Sequence, residues 1–244
     1  MKASPDDQQR LLELQAHDTA LDRLAMRRRT LPELAEIEKI DNRLAELHAD
    51  IVRVETDVQD MAREQRKIEN DVDVVRTRMT RDQQRLDSGQ VGSPKELENL
   101  QHELQSLARR QGDLEDLVLE QMERRDEAEQ ELAALSTERD ALLPERAAAE
   151  ARRDAAHVEI EAAGNTERAA RDALAPTLPE DLMAVYEKVR ADHDGVGAAA
   201  LHRGRCEGCH LSFSSVDLDR MRKTEPDEVL RCEECRRILV RTGE

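Results

Sequence analysis

Apolar residues recur along the first part of the chain at alternating intervals of three and four residues. From Ile37 to Leu86 this spacing covers fifteen positions, of which all but Gln65 and Asp82 are apolar. Such a 3.5-residue repeat forms one apolar stripe along a helix, called here the seam, and is typical of a left-handed coiled coil. Polar residues on a seam can fix its register, although Asp82 lies near the predicted helix end, where contact with water would equally explain it.

The seam stops at a break between residues 87 and 96. Gly89 suits the left-handed position that closes a helix. Ser93 is a favourable N-cap, Pro94 fits the first helical position, and Glu96 completes a capping box. A stop signal and a start signal this close together predict two helices joined by a short turn.

A second apolar repeat runs from Leu97 to Leu142 and is less regular, because Gln121, Arg125 and Arg139 fall on it. Helices joined by a short turn pack antiparallel to one another. The sequence therefore predicts a mainly α fold built on a long antiparallel coiled-coil hairpin, with a first arm of ~75 Å at 1.5 Å per residue. One continuous helix in a parallel dimer is the alternative, and the glycines and proline of the break disfavour it.

Prolines mark further breaks in the helical arm. Pro32 and Pro144 predict kinks near residues 30–32 and 144, and Pro144 is expected to interrupt the return helix. Residues 4–29 then form a separate helix packed on the stretch after Pro144.

The predicted organisation has three segments, a helical arm (1–175, with the hairpin turn at 88–94), a connecting helix and linker (176–200), and a small C-terminal domain (201–244). Secondary structure predicted for the last two segments comprises helices at 178–192 and 215–223 and strands at 195–201 and 237–241.

Composition narrows the class of protein. Charged residues make up 38% of the 244 residues and aromatic residues 1%, with a net charge of −17. Too few bulky aromatics are present for an ordinary globular core, and the abundance of Leu, Ala, Glu, Arg and Gln is typical of long helices. No apolar stretch approaches the ~20 residues that span a bilayer. We expect a soluble cytoplasmic protein without a membrane role.

The only four cysteines form two doublets, Cys206-x-x-Cys209 and Cys232-x-x-Cys235. Each doublet lets one turn of backbone aim two sulfurs at a common point, and four thiolates are the ligands of a closed tetrahedral zinc site. Because no coordination position stays open for water or substrate, we expect one structural Zn²⁺ per chain in a zinc ribbon with β-strands.

Three other readings of the cysteines are open. Two disulfides would need an oxidising compartment, and no signal peptide is evident. A redox Cys-x-x-Cys gives no reason for two copies. Cys206 to His210 match the Cys-x-x-Cys-His haem-attachment string, but one Phe and no Trp offer little for a haem pocket.

Three stretches of the sequence resemble a known protein family. The closing phrase from Cys232 to Val240, the Lys95-Glu-Leu-Glu sequence after the turn, and the stretch from Tyr186 to Arg190 are similar to a bacterial family of C4-type zinc-ribbon proteins. The resemblance covers essentially the whole chain and implies the four cysteines as zinc ligands. Members of that family have been linked to the regulation of partner proteins, including flagellar regulation, and to RNA binding. Arg236 stands where such knuckles usually carry glycine, which implies strain in that turn.

The distribution of charge along the chain bears on whether the partner is a nucleic acid. Residues from 201 onward hold nine Lys/Arg and nine Asp/Glu, so the net negative charge lies in residues 1–200. Duplex DNA is therefore an unlikely partner of the helical arm, because phosphate contacts need clustered cations. A basic group in the C-terminal domain gives the candidate nucleic-acid contacts, for which a solvated surface is the alternative: Arg220, Arg222, Lys223, Arg236 and Arg237.

The sequence carries no enzyme signature such as a phosphate-binding loop or a metalloprotease motif. Our leading hypothesis is a non-enzymatic scaffold or adaptor whose coiled-coil arm binds protein partners and whose zinc ribbon is a recognition module. Apolar residues off the seam, such as Val74 and Leu119, are candidates for partner contact. The alternative is a regulatory protein that binds RNA or single strands through the ribbon. The sequence leaves the partner and the oligomeric state open.

Overall fold

Three long helices make up most of the chain. In the computed structural model, which describes residues 1–242, helix α1 spans Pro5–Arg29, α2 spans Pro32–Asp87 and α3 spans Pro94–Leu174. A 3₁₀ turn at Ala175–Thr177 leads to α4, Glu180–Asp192. Among the described residues, no helix combines the length and apolar character that crossing a membrane requires.

The C-terminal part of the chain forms a small sheet with one short helix. Its elements are β1 (Ala198–His202), β2 (Arg205–Cys206), α5 (Ser215–Lys223), β3 (Leu230–Arg231) and β4 (Ile238–Arg241). The strand order is β2-β1-β4-β3, with β1 and β4 parallel and the outer pairs antiparallel. The first strand begins at residue 198, three residues later than predicted. Residues 243 and 244 of the predicted C-terminal domain lie outside the described residues.

Local chemistry explains the turn between α2 and α3. Gly89 has a φ of 68°, the left-handed conformation that favours glycine. Ser93 Oγ accepts a hydrogen bond from the backbone N–H of Glu96 at 3.3 Å, so the predicted N-cap is confirmed. The Glu96 carboxylate accepts the N–H of Gly92 at 3.0 Å, one residue earlier than a standard capping box.

Pro144 does not interrupt the return helix, contrary to the prediction. Helix α3 continues through it for a total of 81 residues. Proline removes one backbone hydrogen bond and costs about 3 kcal/mol in a helix interior. The packing and hydrogen bonds on both sides offset that local cost, whereas α1 and α2 separate at residues 30–31. The proline at position 32 thus marks the start of a new helix, whereas the proline at position 144 lies inside one helix.

The chain divides into two compact units. One, the hairpin unit, is Glu36–Ala149. The other, the base unit, joins Met1–Ala35 to residues from 150 onward and so combines α1, the end of α3, α4 and the sheet. The predicted C-terminal domain therefore shares a unit with the N-terminal helix.

The two arms of the hairpin unit pack along the predicted seam. Buried seam residues include Leu47, Ile51, Val54 and Val72 from α2 and Leu100 and Leu114 from α3. Ion pairs flank the seam within the one chain, with N–O distances of 2.7 Å for Arg43–Glu138 and 2.7 Å for Arg76–Glu115. From the first pair to the second, the residue number on α2 rises from 43 to 76 while the residue number on α3 falls from 138 to 115. The two helices therefore run in opposite directions, which confirms the antiparallel hairpin. Exposed ion pairs of this kind contribute little to stability because water screens them, so apolar burial dominates the stability of the unit.

The two polar residues on the α2 seam differ in whether their side-chain oxygens have hydrogen-bond partners. The Gln65 amide oxygen accepts a hydrogen bond from Arg125 at 2.9 Å, and both residues had been identified as seam positions. This cross-helix bond can fix the register. Asp82 is 95% buried. The interpretation that it contacts water near the end of the helix is therefore wrong. Asp82 Oδ2 has no hydrogen-bond partner among the described residues, and the nearest cation, Arg78, lies 3.8 Å away.

Replacing Asp82 with leucine is expected to stabilise the hairpin by about 1–3 kcal/mol, because a poorly satisfied buried carboxylate gives way to an apolar seam residue. Thermal unfolding followed by far-UV circular dichroism measures the change. Asp71→Leu, at an exposed position of the same helix, is the matched control and should produce no comparable gain. Destabilisation by Asp82→Leu would contradict this reading of the site.

The base unit has a two-sided sheet. Ala198, Ile238 and Val240 point into one core together with Leu11 and Leu14 of α1. The alternate residues Ala199 and Leu239 face a second core on the cysteine side. The sheet is consequently buried on both faces, which explains why its strands are apolar without alternation.

A buried carboxylate links three helices of the base unit. The Asp18 side chain is 1% exposed and accepts hydrogen bonds from Arg171 Nε at 2.7 Å and from the Tyr186 hydroxyl at 2.6 Å. Arg190 Nε lies 3.4 Å from the same carboxylate. Burial and the hydrogen bond to Asp18 raise the pKa of Tyr186 well above its usual value. The phenol therefore stays neutral and donates.

Gln15 connects the same helix to the start of β1. Its amide oxygen accepts the backbone N–H of Gly197 at 2.6 Å, and its amide nitrogen donates to the carbonyl of Gly195 at 3.0 Å. A Cβ on Gly197 would lie 2.7 Å from the carbonyl oxygen of Tyr186, so only glycine fits there. These bonds fix the strand that leads to the first cysteine doublet.

Candidate metal centre

The two cysteine doublets adopt the same local conformation. After each doublet one residue takes a left-handed φ, 61° at His210 and 60° at Arg236. Its backbone N–H donates to the carbonyl of the first cysteine, at 2.7 Å to Cys206 and 2.9 Å to Cys232. The strain that the sequence implied at Arg236 is present, and His210 shares it.

All four sulfurs converge on one point. Their Sγ atoms lie within 4.8 Å of one another, with distances of 3.9 Å between Cys206 and Cys235 and 3.8 Å between Cys209 and Cys232. In a tetrahedral zinc site with Zn–S bonds of about 2.3 Å, two sulfurs are about 3.8 Å apart. The donor set and its dimensions fit one structural zinc ion with four thiolate ligands.

The ligand thiols differ in their readiness to ionise. Burial raises the pKa of the Cys206 thiol to about 12. Burial also opposes ionisation of Cys235, but hydrogen bonds from the backbone and side chain of Arg237 and from Cys232 and Cys209 together outweigh it and lower the pKa of that thiol to about 7. Zinc binds thiolates, so loading the site must release protons and weaken as the pH falls.

The site is closed and sits against the second core of the base unit. Cys206 and Cys232 are fully buried, and Ala199, Met221 and Leu239 pack around them. Among the described residues, the four cysteines are the only cluster of His, Cys, Asp or Glu that could hold a metal ion. A full set of four thiolates makes the metal a folding element, because none of its positions is open to a substrate.

His210 is not a ligand. Its side chain is 68% exposed and its ring Nδ1 faces Glu207 at 4.0 Å. Haem attachment would use Cys206 and Cys209 alone, whereas both doublets contribute to the observed cluster. The geometry thus favours zinc over the haem reading of the Cys-x-x-Cys-His string.

The five candidate nucleic-acid contacts differ in their exposure and in their partners. Arg220 pairs with Glu233 and Asp217, and Arg222 lies 3.6 Å from Asp219 and is 78% exposed. Lys223 and Arg236 are exposed as well.

Arg237 differs from the other four because it is partly buried. Its guanidinium donates to the carbonyls of Val196 at 3.0 Å, Gly208 at 3.2 Å and His193 at 3.2 Å. It fixes the first knuckle against the strand that precedes it, which is a positioning role that the sequence did not reveal.

A cleft of about 830 Å³ beside the first doublet was not predicted as a site. It is lined by His202, Arg203 and Arg205 on the β1–β2 turn and by Glu207 and Thr242. The sequence signal is the pair of arginines, Arg203 and Arg205, that precede Cys206.

Replacing Arg236 with glycine is expected to stabilise the zinc-loaded knuckle by about 0.5–1 kcal/mol, since glycine adopts a positive φ without strain. Denaturant unfolding monitored by zinc release to a chelator measures the effect. Arg231→Gly, in the extended strand β3, is the matched control and should be neutral or destabilising. An equal gain in both variants would show that the left-handed turn is not the cause.

Comparisons with known proteins agree with this architecture. Residues 14–194 match the family described as a CT398-like coiled coil hairpin domain, and residues 205–239 match the C4-type zinc ribbon domain. An uncharacterised protein of Mycobacterium tuberculosis is 36% identical over 241 residues, covering 99% of this chain and 98% of that protein.

Two solved structures are also similar. A Mycobacterium smegmatis protein superposes with a TM-score of 0.87 at 33% identity, over 99% of this chain and 100% of that one. CT398 of Chlamydia trachomatis shares the fold, with a TM-score of 0.56 at 20% identity over 97% and 98% of the two chains. With its hairpin and its four-cysteine site in place, the chain belongs to the family of CT398-like coiled-coil hairpin proteins that carry a C4-type zinc ribbon.

Proposed function

We propose that this zinc-binding protein is a non-catalytic scaffold whose hairpin unit binds protein partners. The zinc ion holds the ribbon in shape and takes no part in chemistry, because its ligand set is complete. The observation that carries the proposal is a set of exposed apolar side chains on the hairpin that its own seam does not use. They are Val52, Val74, Leu117, Leu119, Met122 and Leu143.

Two of these residues are particularly exposed. Val74 is 68% accessible and Leu119 is 58% accessible, although both are large apolar side chains, and neither lies on the seam between the helices. Single exposed apolar residues are common, but Leu119 lies in a groove of about 470 Å³ with the seam residues Val72 and Val118. An apolar groove with a charged rim is typical of a surface that takes a partner side chain.

Charged side chains surround the apolar part of this groove. Glu115 accepts from Arg76 at 2.7 Å across the hairpin, and Glu69 and Asp73 lie on the same groove. The hydrogen bonds from Gln111 and Arg76 lower the pKa of Glu115, so its carboxylate stays ionised at neutral pH. A polar rim around an apolar floor gives orientation as well as affinity.

Affinity purification of the full chain from its native cell, with and without nuclease, tests the proposal. Val74→Gln and Leu119→Gln are expected to reduce capture of nuclease-resistant partners by about tenfold while far-UV circular dichroism stays unchanged. Glu123→Gln, which changes an exposed polar residue of α3, is the control and should retain the partners. Retention of every partner by both apolar-site variants would overturn the assignment of this surface.

A second candidate function is binding of RNA or single-stranded nucleic acid by the ribbon. The cleft beside the first doublet favours it, because Arg203, Arg205 and His202 line one concave surface. Arg205 also pairs with Glu207 at 3.1 Å, so part of its charge is already engaged. Phe213 is only partly buried but packs against the cysteine-side core, which leaves little aromatic surface for stacking bases.

Charge reversal tests this second function. A variant that reverses four ribbon cations should lose RNA binding, and its zinc content should be unchanged because none of the four is a ligand. The substitutions are Arg205→Glu, Arg222→Glu, Lys223→Glu and Arg236→Glu. Arg237 is left intact because its loss would free three carbonyls. The control reverses an equal number of hairpin cations: Arg63, Arg66, Lys67 and Arg81. Binding without a steep dependence on salt, or equal loss in both variants, would contradict a ribbon-specific site.

A further inference from the structure

The base unit carries an apolar groove that neither of its cores uses. The groove measures about 780 Å³ and lies along the second half of α1 and the C-terminal part of α3. Its apolar lining comes from three helices: Leu21, Leu24 and Ala25 of α1, Leu34 of α2 and Ile160 of α3. None of these residues belongs to the two hydrophobic clusters of the base unit. Ile160 is buried, but Leu34 is 37% exposed and Leu21 and Leu24 are half-buried, so part of this apolar lining is surface that the base unit leaves uncovered.

A glycine lies on the α3 wall of this groove. Gly164 lines it from within α3, where glycine costs up to about 1 kcal/mol relative to alanine. A Cβ at this position would meet only the flexible guanidinium of Arg168, at 3.3 Å. Backbone conformation does not require glycine here, and the absence of a Cβ lets the Arg168 guanidinium lie close against this part of the helix.

Charges around the groove favour an acidic ligand. Three arginines line it, Arg28, Arg29 and Arg168, against two carboxylates, Asp22 and Glu161. Arg28 and Arg29 have no carboxylate partner among residues 1–242, whereas Asp22 already lies 3.5 Å from Arg190. This cationic excess occurs in a protein whose net charge is −17, so it runs against the average charge of the molecule.

We propose that this groove binds an amphipathic helix of a protein partner, with apolar residues spaced i, i+3, i+4 and i+7 and acidic residues beside them. The α3 residues that line it run from His157 to Arg168. That stretch is about 17 Å long at 1.5 Å per residue, which matches about three turns of a docked helix. The partner helix would fill the apolar lining, and its carboxylates would meet Arg28 and Arg29. The inference rests on the proposed scaffold function and specifies the chemistry of one partner at a surface within the base unit.

A peptide titration tests the groove in the zinc-loaded full chain. The probe is a labelled synthetic peptide of about 14 residues with leucines on one helical face and glutamates flanking them. Its matched probe carries lysine at every glutamate position. We expect the glutamate peptide to bind the wild type, with affinity falling as salt is added, and the lysine peptide to bind at least about tenfold more weakly.

Two variants of one residue separate filling of the groove from disturbance of the helix. Gly164→Leu should place a side chain in the groove and weaken the glutamate peptide by about tenfold. Gly164→Ala raises helix propensity without filling the space and should bind like the wild type. Arg28→Glu combined with Arg29→Glu should weaken the same peptide while leaving the zinc content unchanged.

Three results would overturn the groove proposal. They are equal peptide affinity for the Gly164→Leu variant and the wild type, equal affinity for the two peptides, and a dimer that Gly164→Leu converts to monomer. The last result would assign the groove to a second copy of this chain. None of these outcomes depends on Val74 or Leu119, so failure of the groove leaves the hairpin test standing, and failure of the hairpin test leaves the peptide result valid.

Discussion

Replacing Cys206 or Cys232 with serine is expected to abolish zinc binding and unfold the cysteine side of the ribbon. Structural zinc sites of this type contribute on the order of 10 kcal/mol to folding, and a serine hydroxyl does not replace a thiolate ligand. Elemental analysis should find about one zinc per wild-type chain and almost none in either variant. Far-UV helicity should change little, because the hairpin unit has its own seam.

His210→Asn provides the control for the zinc prediction. Asparagine tolerates a left-handed φ, so the knuckle conformation is kept while the imidazole is removed. This variant should retain zinc, since the ring lies outside the cluster. Iron in the purified protein, or a folded ribbon without metal, would contradict the assignment.

Replacing Asp18 with alanine should destabilise the base unit by about 3–5 kcal/mol. The change removes the acceptor for the Tyr186 hydroxyl and leaves Arg171 and Arg190 without the carboxylate between them. Loss of one member of a buried ionic group costs more than the group contributes, because the remaining charges stay desolvated.

Tyr186 offers a direct measurement of that effect. It is the only tyrosine, the chain has no tryptophan, and its side chain is fully buried in the base unit. Its fluorescence during urea unfolding therefore reports on the base unit alone. Asp22→Ala is the matched control, since that carboxylate is 53% exposed and forms its ion pair with Arg190 alone among the described residues; we expect a change below about 1 kcal/mol. Similar losses in the two variants would refute the special role of Asp18.

The features that could be predicted from the sequence depend on local patterns. The seam from Ile37 to Leu86 is a repeat, the end of α2 at Gly89 and the start of α3 at Ser93 are local conformational preferences, and the zinc ligands follow from the spacing of the cysteines. Each of these signals lies within a few neighbouring residues, or within a strict period, and so can be recognised without knowing the tertiary structure.

The features that escaped prediction depend on contacts between distant residues. Nothing near Asp18 indicates that Tyr186, 168 positions later, donates to it. Arg237 resembled any other ribbon arginine until its three carbonyl acceptors were known. Pro144 was expected to interrupt the helix because local propensity ignores the packing that offsets a missing hydrogen bond. Burial of Asp82 was missed for the same reason, since helix position alone does not give solvent exposure.

The discontinuous base unit has a consequence for the order of folding during synthesis. The hairpin unit, Glu36–Ala149, is continuous and can pair its arms as soon as its last residue has left the ribosome. Leu11 and Leu14 of α1, by contrast, need Ile238 and Val240, which are made only after the whole hairpin unit. The entropy lost on closing a loop grows with the length of flexible chain, and a folded hairpin shortens that length before the base must close. We therefore expect nascent chains to hold α1 without its sheet partners until β4 has been made, a period in which its apolar face is accessible to chaperones.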